Sequence, residues 1–120
     1  MKELAAVKMV EQKSRFMAHL YLVDSPNDEE EILKIHRRKY KKANHHCYAL
    51  RCQSTEKAKD DGEVGHPGRV LAEILNKHKL NSHMLIVSRI FGGIKLGVGG
   101  VSRAFREAGQ GVIDSLENDL

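Results

Sequence analysis

The segment RIFGGIKLGVGGVSRAF, Arg89 to Phe105, places five glycines in nine residues, Gly92, Gly93, Gly97, Gly99 and Gly100, between a short β-branched run and an amphipathic stretch. So much bare backbone between a strand-like and a helix-like segment restricts the local fold to strand, tight loop and helix N-terminus. Upstream, HMLIVSRI has the continuous apolar character of a strand buried on both faces. Downstream, Val101, Ala104, Phe105, Ala108, Val112 and Leu116 recur at helical spacing, while Arg103, Arg106 and Gln110 fall on another face. The expected helix is weakened by Gly109 and Gly111, each costing about 1 kcal/mol against alanine.

The rest of the chain alternates between the same two periodicities. SRFMAHLYLV, Ser14 to Val23, is rich in residues suited to a pleated surface and reads as a strand, with ELAAVKMV before it as a hairpin partner. In DSPNDEEEILKIHRRKY, Ser25 is placed to cap a helix, Pro26 suits its first turn, and Asp28 to Glu31 sit where the helix dipole is positive. That helix is expected to reach Tyr40 and to leave through Arg37, Arg38, Lys39, Lys41 and Lys42, read as a solvated basic end. NHHCYALRC is strand-like, whereas STEKAKDDGEVGHPG holds no sustained period and is expected to be the longest loop. Leu71, Ile74, Leu75 and His78 keep helical spacing in GRVLAEILNKHKLN, with Asn81 available to end the helix. Helices alternating with strands imply a two-layer α/β (α+β) sandwich, a mixed sheet with three helices on one face.

Length and charge narrow the functions. A chain of 120 residues can bury one core without metal or disulfide support, and residues 1–120 are expected to form a single domain. The longest apolar run, Met84 to Val87, is far short of a bilayer span, and the N-terminal segment has no leader-like apolar block, so a cytoplasmic protein is expected. Cys47 and Cys52 would point to opposite faces of one strand, which predicts reduced thiols and neither a disulfide nor a shared metal. A formal net charge of +4 favours anionic partners.

Each motif supports two readings. Gly92, Gly93, Gly97, Gly99 and Gly100 open a helix N-terminus, where free N–H groups and the dipole favour a phosphate; alternatively they let the loop pack tightly under the DDGE segment. The loop is no Walker motif, because Val98 stands where lysine is required, and no dinucleotide fingerprint, because Ser102 takes the third glycine position. Asp60, Asp61 and Glu63 around Gly62 either hold a hydrated magnesium ion, or act as acid and base, or bond nearby backbone N–H groups in a turn. Arg69, Arg89, Lys95 and Arg103 are the cations available either to phosphate oxygens or to those carboxylates. His45 and Cys47 share a strand face, but zinc would need two further ligands from distant segments, and a Cys47–His45 nucleophile lacks an orienting group. No catalytic residue and no metal ligand is therefore assigned.

Together SRFMAHL, NHHCYALR, DDGEVGHPGR and RIFGGIKLGVGGVSRAF resemble, in order and spacing, the four signature blocks of the IMPACT family, from Ser14 to Leu116. His45, Cys47 and Ala49 match its His-x-Cys-x-Ala strand, and Asp60 to Glu63 its Asp-Asp-Gly-Glu. Arg69 matches its basic residue after a glycine-rich turn, and Arg89 through Gly97 its Arg-aromatic-Gly-Gly-Ile-x-Leu-Gly block. His66 and Pro67 depart from it, standing where relatives carry small residues. The resemblance implies a fold like the second domain of a ribosomal small-subunit protein, which also underlies some small-molecule kinases. Eukaryotic members are similar to translation regulators that act through a stress-responsive initiation-factor kinase and associate with ribosomes. The match covers the core shared with bacterial members, which add a C-terminal ferredoxin-like domain, and with eukaryotic ones, which add an N-terminal partner-binding domain.

Two functions follow as expectations. One is a non-enzymatic module that binds RNA or ribosomes in the regulation of translation, using Arg69, Lys95, Arg103 and Arg106. The other is a nucleotide or phosphate-ester enzyme built on the glycine loop and the DDGE segment, with magnesium as its only candidate cofactor. The missing phosphate-loop lysine favours the module. Few aromatics are free for base stacking, so RNA would be held through its backbone. A protein partner is the remaining option, and no membrane contact is expected.

Overall fold

A computed structural model describes residues 1–118. The chain opens with a hairpin, β1 (Lys2–Glu11) and β2 (Ser14–Leu22), closed by Gln12 and Lys13, both at positive φ. Two consecutive left-handed residues match the turn type whose twist suits antiparallel strands. Helix α1 (Asp28–Lys39) follows, then a second hairpin of β3 (His45–Cys52) and β4 (Thr55–Lys59), helix α2 (Pro67–Lys77), strand β5 (His83–Ile90) and helix α3 (Gly97–Asn118). The sheet order is β1-β2-β5-β3-β4, with β5 at the centre.

One face of the sheet presents Phe16, Ala18, Leu20, Cys47, Ala49, Leu85 and Val87 to α2 and α3. Phe16 and Phe105 meet edge to face with centroids 5.3 Å apart. Each fully buried side chain of this size contributes roughly 1.5–3 kcal/mol. The other face gathers Tyr21, Tyr48, Leu50, Cys52, Met84 and Ile86 around Ile32 of α1. Cys47 and Cys52 thus fall in different cores, buried and unpaired, as opposite strand faces require.

The α+β class stands, with two details corrected. The sheet is antiparallel throughout rather than mixed. The helical crossovers join β2 to β3 and β4 to β5, which are parallel pairs, but β5 lies between the first two and β3 between the second, so every neighbour is antiparallel. The helices occupy both faces instead of one, α1 lying opposite α2 and α3. The two crossovers run in opposite directions along the sheet between strands of opposite sense. Helices on one face would give both crossovers the same hand, so their placement on opposite faces makes one of them left-handed, an exception to the usual rule.

Local boundaries also differ from expectation. Residues 55–59, read as loop, form edge strand β4; four of the five are exposed, so no apolar alternation marks them. Lysines on such an edge guard it against pairing with other chains. Ser25 does not cap α1: its hydroxyl accepts the Asn27 N–H, and its carbonyl accepts that of Asp28, where the helix begins. Helix α2 ends at Lys77, with Lys79 instead of Asn81 taking the left-handed conformation, and the Leu80 N–H bonds the Leu75 carbonyl. Helix α3 starts at Gly97, so Gly99 and Gly100 belong to its first turn and not to a loop.

Candidate functional site

Blocks distant in sequence meet at one end of the sheet. Arg89, near the end of β5, is 6% exposed and donates from Nη1 to Glu63 Oε2 at 2.8 Å and from Nη2 to Ser14 Oγ at 3.3 Å. The Glu63 side chain is itself only 4% exposed. Phe16 and Phe91 flank the guanidinium, with ring centroids 5.5 and 5.7 Å away. Ser14 Oγ also accepts the Gly92 N–H at 3.2 Å, tying the glycine loop to the first hairpin. A Cβ on Gly92 would lie 2.1 Å from the Lys13 carbonyl carbon, so close backbone approach accounts for this glycine. Of the expected phosphate cations, Arg89 is consumed by an internal ion pair, as the alternative reading allowed.

The acidic segment is bound inward as well. Asp60 Oδ1 accepts the Gly68 N–H at 2.9 Å and serves as a remote cap for α2, whose N-cap residue His66 supplies no side-chain bond. Asp61 Oδ2 accepts the His46 N–H at 2.8 Å, and its carbonyl accepts from His45 Nδ1 at 2.8 Å. Glu63 Oε2 also faces His45 Nε2 at 3.6 Å. The Cys47 thiol donates to the Asp60 carbonyl at 3.1 Å; burial first, then Glu63, Asp61 and Asp60, push its pKa up, leaving a protonated thiol and no nucleophile. Among the described residues no group of three His, Cys, Asp or Glu side chains is placed to hold a metal ion.

What the loop turns outward is apolar. Val64, Phe91, Ile94 and Val98 are among the large hydrophobic residues left exposed, and Val64, Phe91 and Val98 line a hollow of about 360 Å³ with Arg89, Lys95, Leu96, Gly97 and Val101. Gly97 sits at φ +73° with open space around it, and Gly93 and Gly99 are likewise uncrowded. Gly65, by contrast, crosses the first turn of α3 with a would-be Cβ 2.8 Å from the Val98 carbonyl oxygen. Arg69, Lys95, Arg103 and Arg106 are exposed. Arg103 shares its hollow with Glu11 and Glu107, which dilute its field.

A second constellation, on the α1 face, has no counterpart in the sequence reading, which weighs His45 with Cys47 as a metal ligand or nucleophile partner and assigns His19 and His36 no role. Tyr21 OH bonds His36 Nε2 at 3.0 Å, His36 Nδ1 meets Ser88 Oγ at 2.9 Å, and Ser88 Oγ meets His46 Nδ1 at 2.7 Å. Beside this chain, Glu3 bonds His19 Nδ1, and His19 Nε2 bonds Tyr40 OH at 2.7 Å. Burial, then the neighbouring His19 and His46, lowers the His36 pKa to about 3. Burial lowers those of His19 and His46 as well.

Residues 12–113 match the family model of the Impact N-terminal domain. The chain belongs to this family. It is 36% identical to IMPACT family member YvyE of Bacillus subtilis over 98% of its own length and 54% of that protein's. It is 35% identical to the Homo sapiens protein IMPACT over 76% of its length and 31% of that protein's. The chain thus spans about half, or less, of these relatives. Among solved structures, one described as a hypothetical protein superposes with a TM-score of 0.86 at 25% identity, over 95% of this chain and 61% of that one. The two-domain translational regulator Yih1 superposes with a TM-score of 0.59 at 21% identity, over 95% of this chain and 46% of that one. The latter is a likeness of fold. Among the described residues no helix is long and apolar enough to cross a membrane.

Proposed function

We propose that this Impact-type chain is a non-enzymatic module of translation regulation that acts in the cytoplasm by associating with RNA or ribosomes. The observation that carries the choice against an enzyme is the commitment of the conspicuous polar groups at the glycine-loop end. Asp60 caps α2, Asp61 holds the start of β3, Glu63 neutralises Arg89, and Cys47 is a protonated donor. Little remains to act as acid, base or nucleophile. The fold relative Yih1, described as a two-domain translational regulator, supports the translational setting. The net charge of +4 supports a polyanionic partner. Lys95, Arg69, Arg103 and Arg106 remain proposed contacts at the glycine end, and Gly97, Gly99 and Gly100 a proposed approach for a phosphate to the free N–H groups of α3.

The test is titration of the protein with single-stranded and duplex RNA at several salt concentrations, together with sedimentation of ribosomes. Binding that weakens linearly on a log-log plot against salt is expected, with a slope of roughly −0.7 per phosphate contact for single strands. No binding at low salt, together with no co-sedimentation, would remove this reading.

A further inference from the structure

The basic residues expected to contact phosphate lie on the α2 and α3 side, but a hollow lined by three exposed cations is on the opposite face of the sheet. There α1 ends at Lys39, and beyond its cap Tyr40 the β1–β2 hairpin is left uncovered. Lys8 of β1, Arg15 of β2 and Lys39 of α1 line a hollow of about 360 Å³ whose floor includes Met17, His19 and Tyr40. No carboxylate lines it, in contrast with the hollow around Arg103, which includes Glu11 and Glu107. All three cations are exposed, and none has an ion-pair partner among the described residues. The Glu3 carboxylate is engaged with His19 of the floor. Val10 pairs with Arg15 and Lys8 with Met17, so Lys8 and Arg15 stand on the same face of adjacent strands, held by the ladder.

We infer that this groove is a site for the sugar-phosphate backbone of single-stranded RNA, with Lys8, Arg15 and Lys39 as its phosphate contacts. The inference rests on the RNA-binding reading proposed above and gives it a location. Three cations anchored on three elements, against the single Glu3 carboxylate bonded to the floor residue His19, complement a chain of negative charges spaced along a strand. A hollow of this volume has the size of a small-ligand pocket, suited to one or two sugar-phosphate units and too small for a duplex. Base stacking contributes little, because Tyr40 is half-buried, with its hydroxyl held by His19 and Lys39 Nζ 5.6 Å from its ring centroid. The site therefore reads backbone and is indifferent to sequence.

The experiment measures binding of a fluorescein-labelled oligouridylate across salt concentrations. It compares wild type, the triple variant Lys8→Gln, Arg15→Gln, Lys39→Gln, and the control triple Lys34→Gln, Lys77→Gln, Lys79→Gln, whose positions lie outside both proposed contact sets. All six positions are exposed, so both variants are expected to unfold at the wild-type urea midpoint. Loss of three contacts should reduce the magnitude of the salt slope by roughly 2 in the groove variant and weaken binding more than about tenfold at low salt. The control triple should keep most of the slope. A groove variant that binds as wild type does overturns the inference while leaving RNA binding intact; a wild type that binds no RNA removes the parent reading and this one with it. Amide shifts on adding the oligonucleotide supply an independent check: changes at Lys8, Arg15 and Lys39 support the groove, and changes confined to α3 overturn it.

Discussion

His36 has no exposed surface and lies between Tyr21 and Ser88, within 4.5 Å, centroid to centroid, of the His19 ring. In the folded chain it stays neutral down to about pH 3, whereas an exposed histidine titrates near 6.5. The folded pKa is the lower one, so the unfolded chain binds the extra proton. Stability is complete above pH 6.5, falls as the pH drops below it, and this contribution is fully lost only below about pH 3. Each pH unit in that window costs about 1.4 kcal/mol, so moving two units down from 6.5 removes roughly 3 kcal/mol through His36 alone. That is a large part of the 5–15 kcal/mol typical of a folded domain. His19 and His46, lowered in the same direction, steepen the decline. Urea unfolding at intervals from about pH 7.5 to 4.5 reads the proton uptake directly as the slope of stability against pH. His36→Gln should cost stability at neutral pH by breaking two buried hydrogen bonds, yet its pH slope should be shallower by close to one proton. Equal slopes in wild type and variant would show that His36 is not a buried neutral group.

The two interior glycines of α3 should respond oppositely to alanine. At Gly109 a Cβ would lie 2.8 and 2.9 Å from Leu71 Cδ2 and Ile74 Cδ1, so overpacking by about 1–3 kcal/mol outweighs the helix gain, while Gly111 meets only Val7 at 3.6 Å and Gly111→Ala should gain up to about 1 kcal/mol; thermal midpoints decide both. Glu63→Ala strands the Arg89 charge against Phe16 and should cost about 3–5 kcal/mol in urea unfolding, with partial recovery in Glu63→Ala with Arg89→Met. Cys47 and Cys52, both buried, should react with a thiol reagent only in denaturant, and an intact mass lighter by two protons under non-reducing conditions would contradict free thiols.

How much of the fold is legible depends on which physical signal each element leaves. Strand β5 announces itself through a run buried on both faces, and α2 through Leu71, Ile74 and Leu75 on one stripe. Strand β4 leaves no such signal, since Thr55–Lys59 exposes almost every side chain and is held by backbone bonds to β3. The face taken by α1 is not written in its own periodicity: Ile32 and His36 would be buried on either side of the sheet. That choice depends on a crossover hand, and the expectation of helices on one face follows from the common hand, which this fold breaks once. Histidines hide for a similar reason. His19 and His36 count as polar in any pattern of apolar residues, yet here they pack as core groups whose nitrogens are paired with tyrosine and serine hydroxyls and the Glu3 carboxylate.

The candidate site shows a different limit. Its motifs are visible as residues but not as purposes, because glycine, aspartate and arginine serve a turn and a ligand equally well. The coordinates assign many of them to one another: Ser14 from the first block takes Arg89 and Gly92 from the fourth, Asp61 from the third holds His46 from the second, and Glu63 joins Arg89. Four separated blocks thus amount to one interlocked corner, which accounts for their fixed order and spacing without invoking a substrate. What that corner leaves outward is an apolar rim of Val64, Phe91, Ile94 and Val98 beside the exposed Lys95. Three further exposed cations, in a hollow that no carboxylate lines, lie across the sheet on β1, β2 and the end of α1. The glycine corner and the groove thus offer a polyanion opposite faces of one sheet, and the corner's internal bonds hold the sheet on which both are built.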